Sequence, residues 1–192
     1  MKYNIIVLWF VFIACSSNYS PKPRGYAQVN FPAKQYQIFN QPNYPYSFEY
    51  PLYGIIQKDS SIFGKNLDNK FWLNIHIPSL NGTIYLSYKN LQNKKLNQVV
   101  NECFYLANRH TVKATGIDEL PFQYNKQLSG MFFNIQGDVA TANQFFVTDS
   151  NKNFLRGTLY FNTAPNEDSL YIVNKFLVQD MYHLVKTLKW KN

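Results

Sequence analysis

Phe71-Trp72-Leu73-Asn74-Ile75-His76-Ile77, stopped by Pro78 and returned through Asn81-Gly82 into Thr83-Ile84-Tyr85-Leu86-Ser87-Tyr88-Lys89, decides the fold class. Apolar and polar residues alternate with period two on both sides of the turn, as they do in strands with one buried face. The Asn-Gly step permits a tight reversal, so the stretch predicts an antiparallel hairpin. Just downstream the period changes. Leu96, Val99, Val100, Cys103, Phe104 and Ala107 recur at helical spacing and predict a helix over 96–109, capped by Asn93 or Asn97.

Working outward, Tyr46-Ser47-Phe48-Glu49-Tyr50 alternates and ends at Pro51, and Gly54–Lys58 reads as a short second strand. The polar stretch 59–69 reads as a loop. Beyond the helix lie three more strand candidates, Leu128–Gln136, Gln144–Thr148 and Leu155–Asn162, the last two joined by an Asp149-Ser150-Asn151 turn. Gly116, Gly130 and Gly137 read as turn or bulge positions. After Pro165-Asn166, Leu170, Val173, Leu177, Met181, Leu184 and Leu188 form one apolar stripe. Glu167 and Asp168 at the start and Lys186 and Lys189 near the end complement the helix dipole. Strands, helix, strands, helix is the order of an α+β domain, a single antiparallel sheet flanked by helices. Val100, Phe104, Leu177 and Leu184 are its expected core members.

The amino terminus carries a different message. Lys2 gives a positive start, Ile5–Ile13 is unbroken apolar sequence, and Ala14-Cys15 follows. The apolar run is about half of the roughly 20 residues that a membrane-spanning helix needs, so it predicts a secretory leader. A small residue followed by Cys at the end of such a leader has the form of a lipobox; an ordinary signal peptide with an incidental Cys is the alternative. Residues 1–14 are therefore the expected signal peptide and Cys15 the expected lipidation site. Residues 15–25, with Pro21-Lys22-Pro23, form a tether. Residues 26–192 form one domain, entered by an extended arm over 25–44.

Composition agrees with a packed core. Apolar residues make up 46% and aromatic residues 18%, with 16 Phe and 15 Tyr, which excludes a disordered chain. The net charge of +8 is dispersed, with Lys94-Lys95 and Lys186/Lys189/Lys191 its only clusters. That pattern describes a solvated surface rather than a nucleic-acid stripe. Only two cysteines occur. If Cys15 carries lipid, Cys103 has no partner, and its place in the helical apolar stripe makes it a core thiol.

Catalytic signatures are missing from the sequence. It contains no G-x-S-x-G, H-E-x-x-H, P-loop or dinucleotide fingerprint, and no Cys/His set has zinc spacing. His76 alternates onto the polar side of its strand with Asn74. Cys103 and His110 are about 10 Å apart along a helix, too far to pair. Asp180 and His183 lie off the apolar stripe and read as a surface pair. Asn81-Gly82-Thr83 has the form of an N-glycosylation acceptor, a signal without meaning in a bacterial lipoprotein. Asp168-Ser169-Leu170 is similar to the Asp-Ser/Thr-aliphatic sites O-glycosylated in Bacteroidetes, which makes Ser169 a candidate modification site. A helix-start role explains the same residues.

Pro21-Lys22-Pro23-Arg24-Gly25-Tyr26 soon after the Cys, then Phe31-Pro32, resemble the opening of the gliding-motility lipoprotein GldD family of the Bacteroidetes. The likeness continues through Tyr46–Pro51, Trp72–Ile75, Ile84–Lys89, Gln144–Asp149 and Phe154–Phe161, in order and over about residues 15–190. It implies lipidation at Cys15, no catalytic residue, no cofactor and no nucleic-acid partner. The implied role is non-enzymatic, in gliding and the associated type IX secretion machinery, through contacts with other envelope proteins. The implied place is the envelope, anchored in a membrane and facing the periplasm. The lack of acidic residues after Cys15 argues against surface export, and the outer membrane is favoured over the inner. A small-ligand or lipid-binding module with a cleft between sheet and helix is the alternative. The layout also resembles PsbP/Mog1-like domains at the level of fold. One departure stands out. Many members of the family carry Cys at the positions of Tyr44 and Phe71, so a disulfide there would be absent and the two rings should meet instead.

Overall fold

A computed structural model describes residues 28–58, 70–93 and 95–191. The leader, Cys15, the tether and the 59–69 loop lie outside the described residues. The strands are β1 (Tyr36–Phe39), β2 (Tyr46–Pro51), β3 (Ile55–Lys58), β4 (Leu73–Ile77), β5 (Gly82–Asn90), β6 (Ala114–Asn125), β7 (Leu128–Gly137), β8 (Asn143–Thr148), β9 (Asn153–Phe161) and β10 (Lys189–Trp190). Helix α1 is Leu96–Asn108 and helix α2 is Glu167–Thr187.

The quoted hairpin is β4–β5, with Ile75 opposite Ile84. It lies within a seven-stranded sheet of order β3-β4-β5-β9-β8-β7-β6, every adjacent pair antiparallel. All five strands expected to share one sheet do so. The α+β class holds, but the sheet is not single. The arm and the end of the chain add a three-stranded sheet of order β1-β2-β10. Its Phe39, Tyr46 and Phe48 belong to the same core as Leu73, Ile84 and Leu159.

Two apolar clusters lie on opposite faces of the large sheet. Helix α2 closes the inner one, with Leu177, Met181, Leu184 and Val185 against Phe132, Phe145, Val147 and Leu155. Helix α1 closes the outer one, its Val99, Cys103 and Ala107 against Phe133, Ile135, Phe146 and Phe154. Leu177 and Leu184 are buried as expected. Val100 and Phe104 are half-buried, because the 99/103/107 line points at the sheet and they lie on its flank. Phe104 still meets Phe133 edge-on at 5.2 Å.

The helix caps differ from each other. Asn166 caps α2, its side chain accepting from Ser169 N at 2.8 Å. At α1 the cap position is neither of the two expected asparagines. Lys95 occupies the position without a side-chain bond, and its carbonyl accepts from Gln98 N. Strand β6, hidden from periodicity, pairs only with β7. Gly116, Pro121 and two acidic residues break its alternation, and an edge strand tolerates them because one side of its backbone needs no partner. Gly137 has φ +103° at the bulge between β6 and β7, a conformation that suits glycine. The Tyr44 and Phe71 rings do meet, 6.0 Å apart and inclined at 68°.

Gly157 on β9 lies beneath the Phe145 ring, where an added Cβ would sit 2.2 Å from ring carbon Cε1. Gly157→Ala should therefore lower stability by about 1–3 kcal/mol through overpacking, read as a fall in the urea midpoint at unchanged slope.

Candidate functional site

The amino-terminal arm is fastened along one face of α2 from Phe31 onward. Phe31 stacks on Phe176 at 4.4 Å. Lys34 Nζ donates to Asp180 Oδ1 at 2.6 Å and to the Phe176 carbonyl at 2.9 Å, and lies 3.6 Å from the Phe176 ring centroid. Tyr36 OH donates to the same Asp180 oxygen at 2.9 Å, and Tyr53 OH donates to Oδ2. His183, one turn further, stacks on Tyr36 at 3.6 Å and bonds Glu49 through Nε2 at 2.7 Å. Thr187 Oγ1 accepts from Glu49 N at 3.0 Å.

Asp180 is only 1% exposed, so the expected surface pair with His183 is not formed. Both residues instead turn toward Tyr36. A carboxylate at such a position needs several donors to offset its lost hydration, and Asp180 has three. Burial pulls the Lys34 ammonium below its usual value, although Asp180 acts in the opposite direction. Burial, then the Asp180 charge, pushes Tyr36 up; burial, then its hydrogen bond to Asp180, does the same for Tyr53. Three donors converging on one carboxylate hold the arm in place.

The remaining singled-out residues are not brought together. His76 lies on the outer sheet face with Nδ1 3.0 Å from Thr83 Oγ1. Cys103 is buried, and burial pushes its thiol up to about 11, far from a reactive thiolate. His110 lies beyond α1 in a separate turn. Ser169 is exposed in the first turn of α2. Among the described residues, no three His, Cys, Asp or Glu side chains are placed to hold a metal ion, and no helix is long and apolar enough to cross a membrane.

Two concave surfaces remain. A cleft of about 470 Å³ lies between α2 and the inner face of β6 and β7. Leu120, Tyr171 and Tyr182 give it apolar area, while Asn134, Asn174 and Gln179 give it amides. On the opposite face, α1 stops short of β4 and β5. A shallow groove of about 710 Å³ runs there across β3, β4, β5 and β9. A cleft between sheet and helix was part of the alternative reading of the sequence, without its position or lining; the groove was not expected. The cleft depends on where α2 crosses the sheet, and the groove depends on how far α1 reaches.

An α+β domain with a bolted amino-terminal arm and two open surfaces is the class that this geometry defines. Its architecture is similar to the solution structure of cyanobacterial PsbP (CyanoP) from Synechocystis sp. PCC 6803, with a TM-score of 0.50 and 10% identity. The match covers 86% of this chain and 98% of that one, and at this identity it speaks for the fold alone. No curated protein matches the chain. The family model described as gliding motility lipoprotein GldD matches residues 16–190, and the chain belongs to that family.

Replacing Asp180 by Ala would leave Lys34 without its counter-charge and two phenols without their shared acceptor. The loss should be about 3 kcal/mol, at the low end for a broken buried pair because Lys34 is partly exposed. Chemical denaturation measures it. The raised phenols also set a pH dependence. A tyrosine whose pKa is higher in the folded than in the unfolded state contributes stability below its ordinary value of about 10, and that contribution is lost as the pH rises further. Lys34 works in the opposite sense, so the readout is a difference. Tyr36→Phe should show a smaller fall in stability above pH about 10 than the unsubstituted protein.

Proposed function

We propose that this chain is a lipid-anchored, non-enzymatic envelope protein that supports gliding motility and the associated type IX secretion machinery by docking other envelope proteins. The family match over residues 16–190 carries the reading. Cys15 supplies the anchor, with residues 1–14 removed as a lipoprotein signal peptide. The domain faces the periplasm, from the outer membrane in preference to the inner. It uses no cofactor, and Ser169 is a candidate O-glycosylation site on its exposed side.

The physical logic has two parts. Lipid fixes the protein at a membrane, and the arm pinned by Asp180 carries the domain in a set orientation. The docking surface that we assign is the cleft beside α2. Its Leu120 and Tyr171 are 46% and 59% exposed, and Tyr124 continues the strip along β6 beneath Lys186. Exposed aromatic side chains give a large contact area at low ordering cost. The cleft is open and rich in amides rather than an enclosed apolar cavity, which favours a protein partner over a buried lipid.

Cys15→Ser should abolish labelling by a clickable palmitate analogue and move the protein from membranes to the soluble fraction. Colony spreading of cells carrying only this variant should fall to that of cells lacking the gene. Retained label would contradict the anchor; loss of label with full spreading would contradict its functional role. A photocrosslinking residue in place of Leu120 should capture an envelope protein in intact cells, whereas one in place of Val112, an exposed residue beyond α1, should not.

A further inference from the structure

The open groove over β3, β4, β5 and β9 differs in chemistry from the cleft. Trp72, Tyr85 and Tyr160 give it three aromatic rings. Trp72 is held by its indole N–H, which donates to the Tyr88 carbonyl at 2.9 Å. Tyr85 and Tyr160 pack edge-on at 5.6 Å, yet are still 41% and 36% exposed. Between and beside the rings lie Gln57, Asn74 and Ser87, whose side chains have no hydrogen-bond partner among the described residues. At one end Arg156 spends one N–H on Gln144 Oε1 at 2.7 Å. Among the described residues no carboxylate lines the groove, and the charged and titratable side chains there are Arg156, His76 and the tyrosines.

We propose that this groove binds an acidic oligosaccharide of a few hexose units. Exposed aromatic rings give the C–H faces of pyranoses an apolar surface to pack on. Unpartnered amides and hydroxyls both donate and accept, as a ligand rich in hydroxyls requires. Arg156 can form a paired bond with a carboxylate, and the described lining holds no acidic group to repel that charge. Size separates this ligand from a protein. Four strands about 4.8 Å apart and about five residues long give a platform of roughly 15 by 17 Å. That is well short of the roughly 800 Å² per partner that a stable protein interface buries. It matches a chain of three or four sugar rings.

The inference does not depend on the role in gliding, and its test is separate. Purified full-length protein in mild detergent is titrated calorimetrically with tetragalacturonate, and with cellotetraose as the neutral counterpart. Tetragalacturonate should bind in the millimolar range or tighter and in preference to cellotetraose. Tyr85→Ala/Tyr160→Ala should weaken it by about tenfold or more while the circular-dichroism melt stays unchanged. Arg156→Lys keeps the positive charge but not the planar fork, and should narrow the preference for the acidic chain. Absence of binding by either saccharide at millimolar concentration would overturn the proposal. So would equal binding of the two, or binding that survives the double substitution. A photocrosslinking residue at Tyr85 that captures a polypeptide in cells, with no saccharide bound in vitro, would also overturn it.

Discussion

The buried carboxylate of Asp180 is the constraint on which the arrangement of this molecule depends. It joins three segments distant in sequence: the arm at Lys34 and Tyr36, the turn after β2 at Tyr53, and the middle of α2. An ionised group at 1% exposure is costly unless fully bonded, so the segments gain by coming together and lose steeply when one is displaced. The apolar stripe of α2 fixes the helix on the sheet. Asp180, His183 and Thr187 on its flank then fix β1 and β2 on the helix. This second contact and the burial of Phe39, Tyr46 and Phe48 hold the three-stranded sheet on the domain, and β10 extends it by pairing with β2 directly after α2 ends.

The same contacts make the arm part of the domain from about residue 31 onward, through Phe31, Lys34 and Tyr36. The exposed surfaces therefore keep a fixed relation to this segment. The two surfaces differ because the helices cover different parts of the sheet. Helix α2 leaves apolar area beside β6, and α1 leaves the rings and amides of β4 and β5 bare. Extending either helix across the sheet would close one of them.

Much of the architecture was legible in the chain because local pattern and tertiary burial agree. The β4–β5 alternation, the stripe of α2 and the change of period at Leu96 each show one buried face directly. The three-stranded sheet was not legible. Residues 36–39 alternate too briefly, and their partners lie at 46–51 and 189–190. Strand β6 was hidden because an exposed edge needs no apolar alternation. The meeting of Tyr44 and Phe71 was expected from the family resemblance rather than from the pattern of residues.

The functional surfaces divide in the same way. The sequence by itself determined the α+β class, the inertness of Cys103, the polar side chosen by His76, and the likeness to the family to which the chain belongs. It misplaced Asp180. A charged residue beside an apolar helical stripe is ordinarily solvated, and nothing within four residues of it shows otherwise. Its partners lie 127, 144 and 146 positions away, so only tertiary structure could make it the buried centre of a network. The cleft and the groove likewise belong to no segment. They are the parts of a sheet that two helices of finite length do not reach, and that follows from where the helices cross, not from the residues of any one strand.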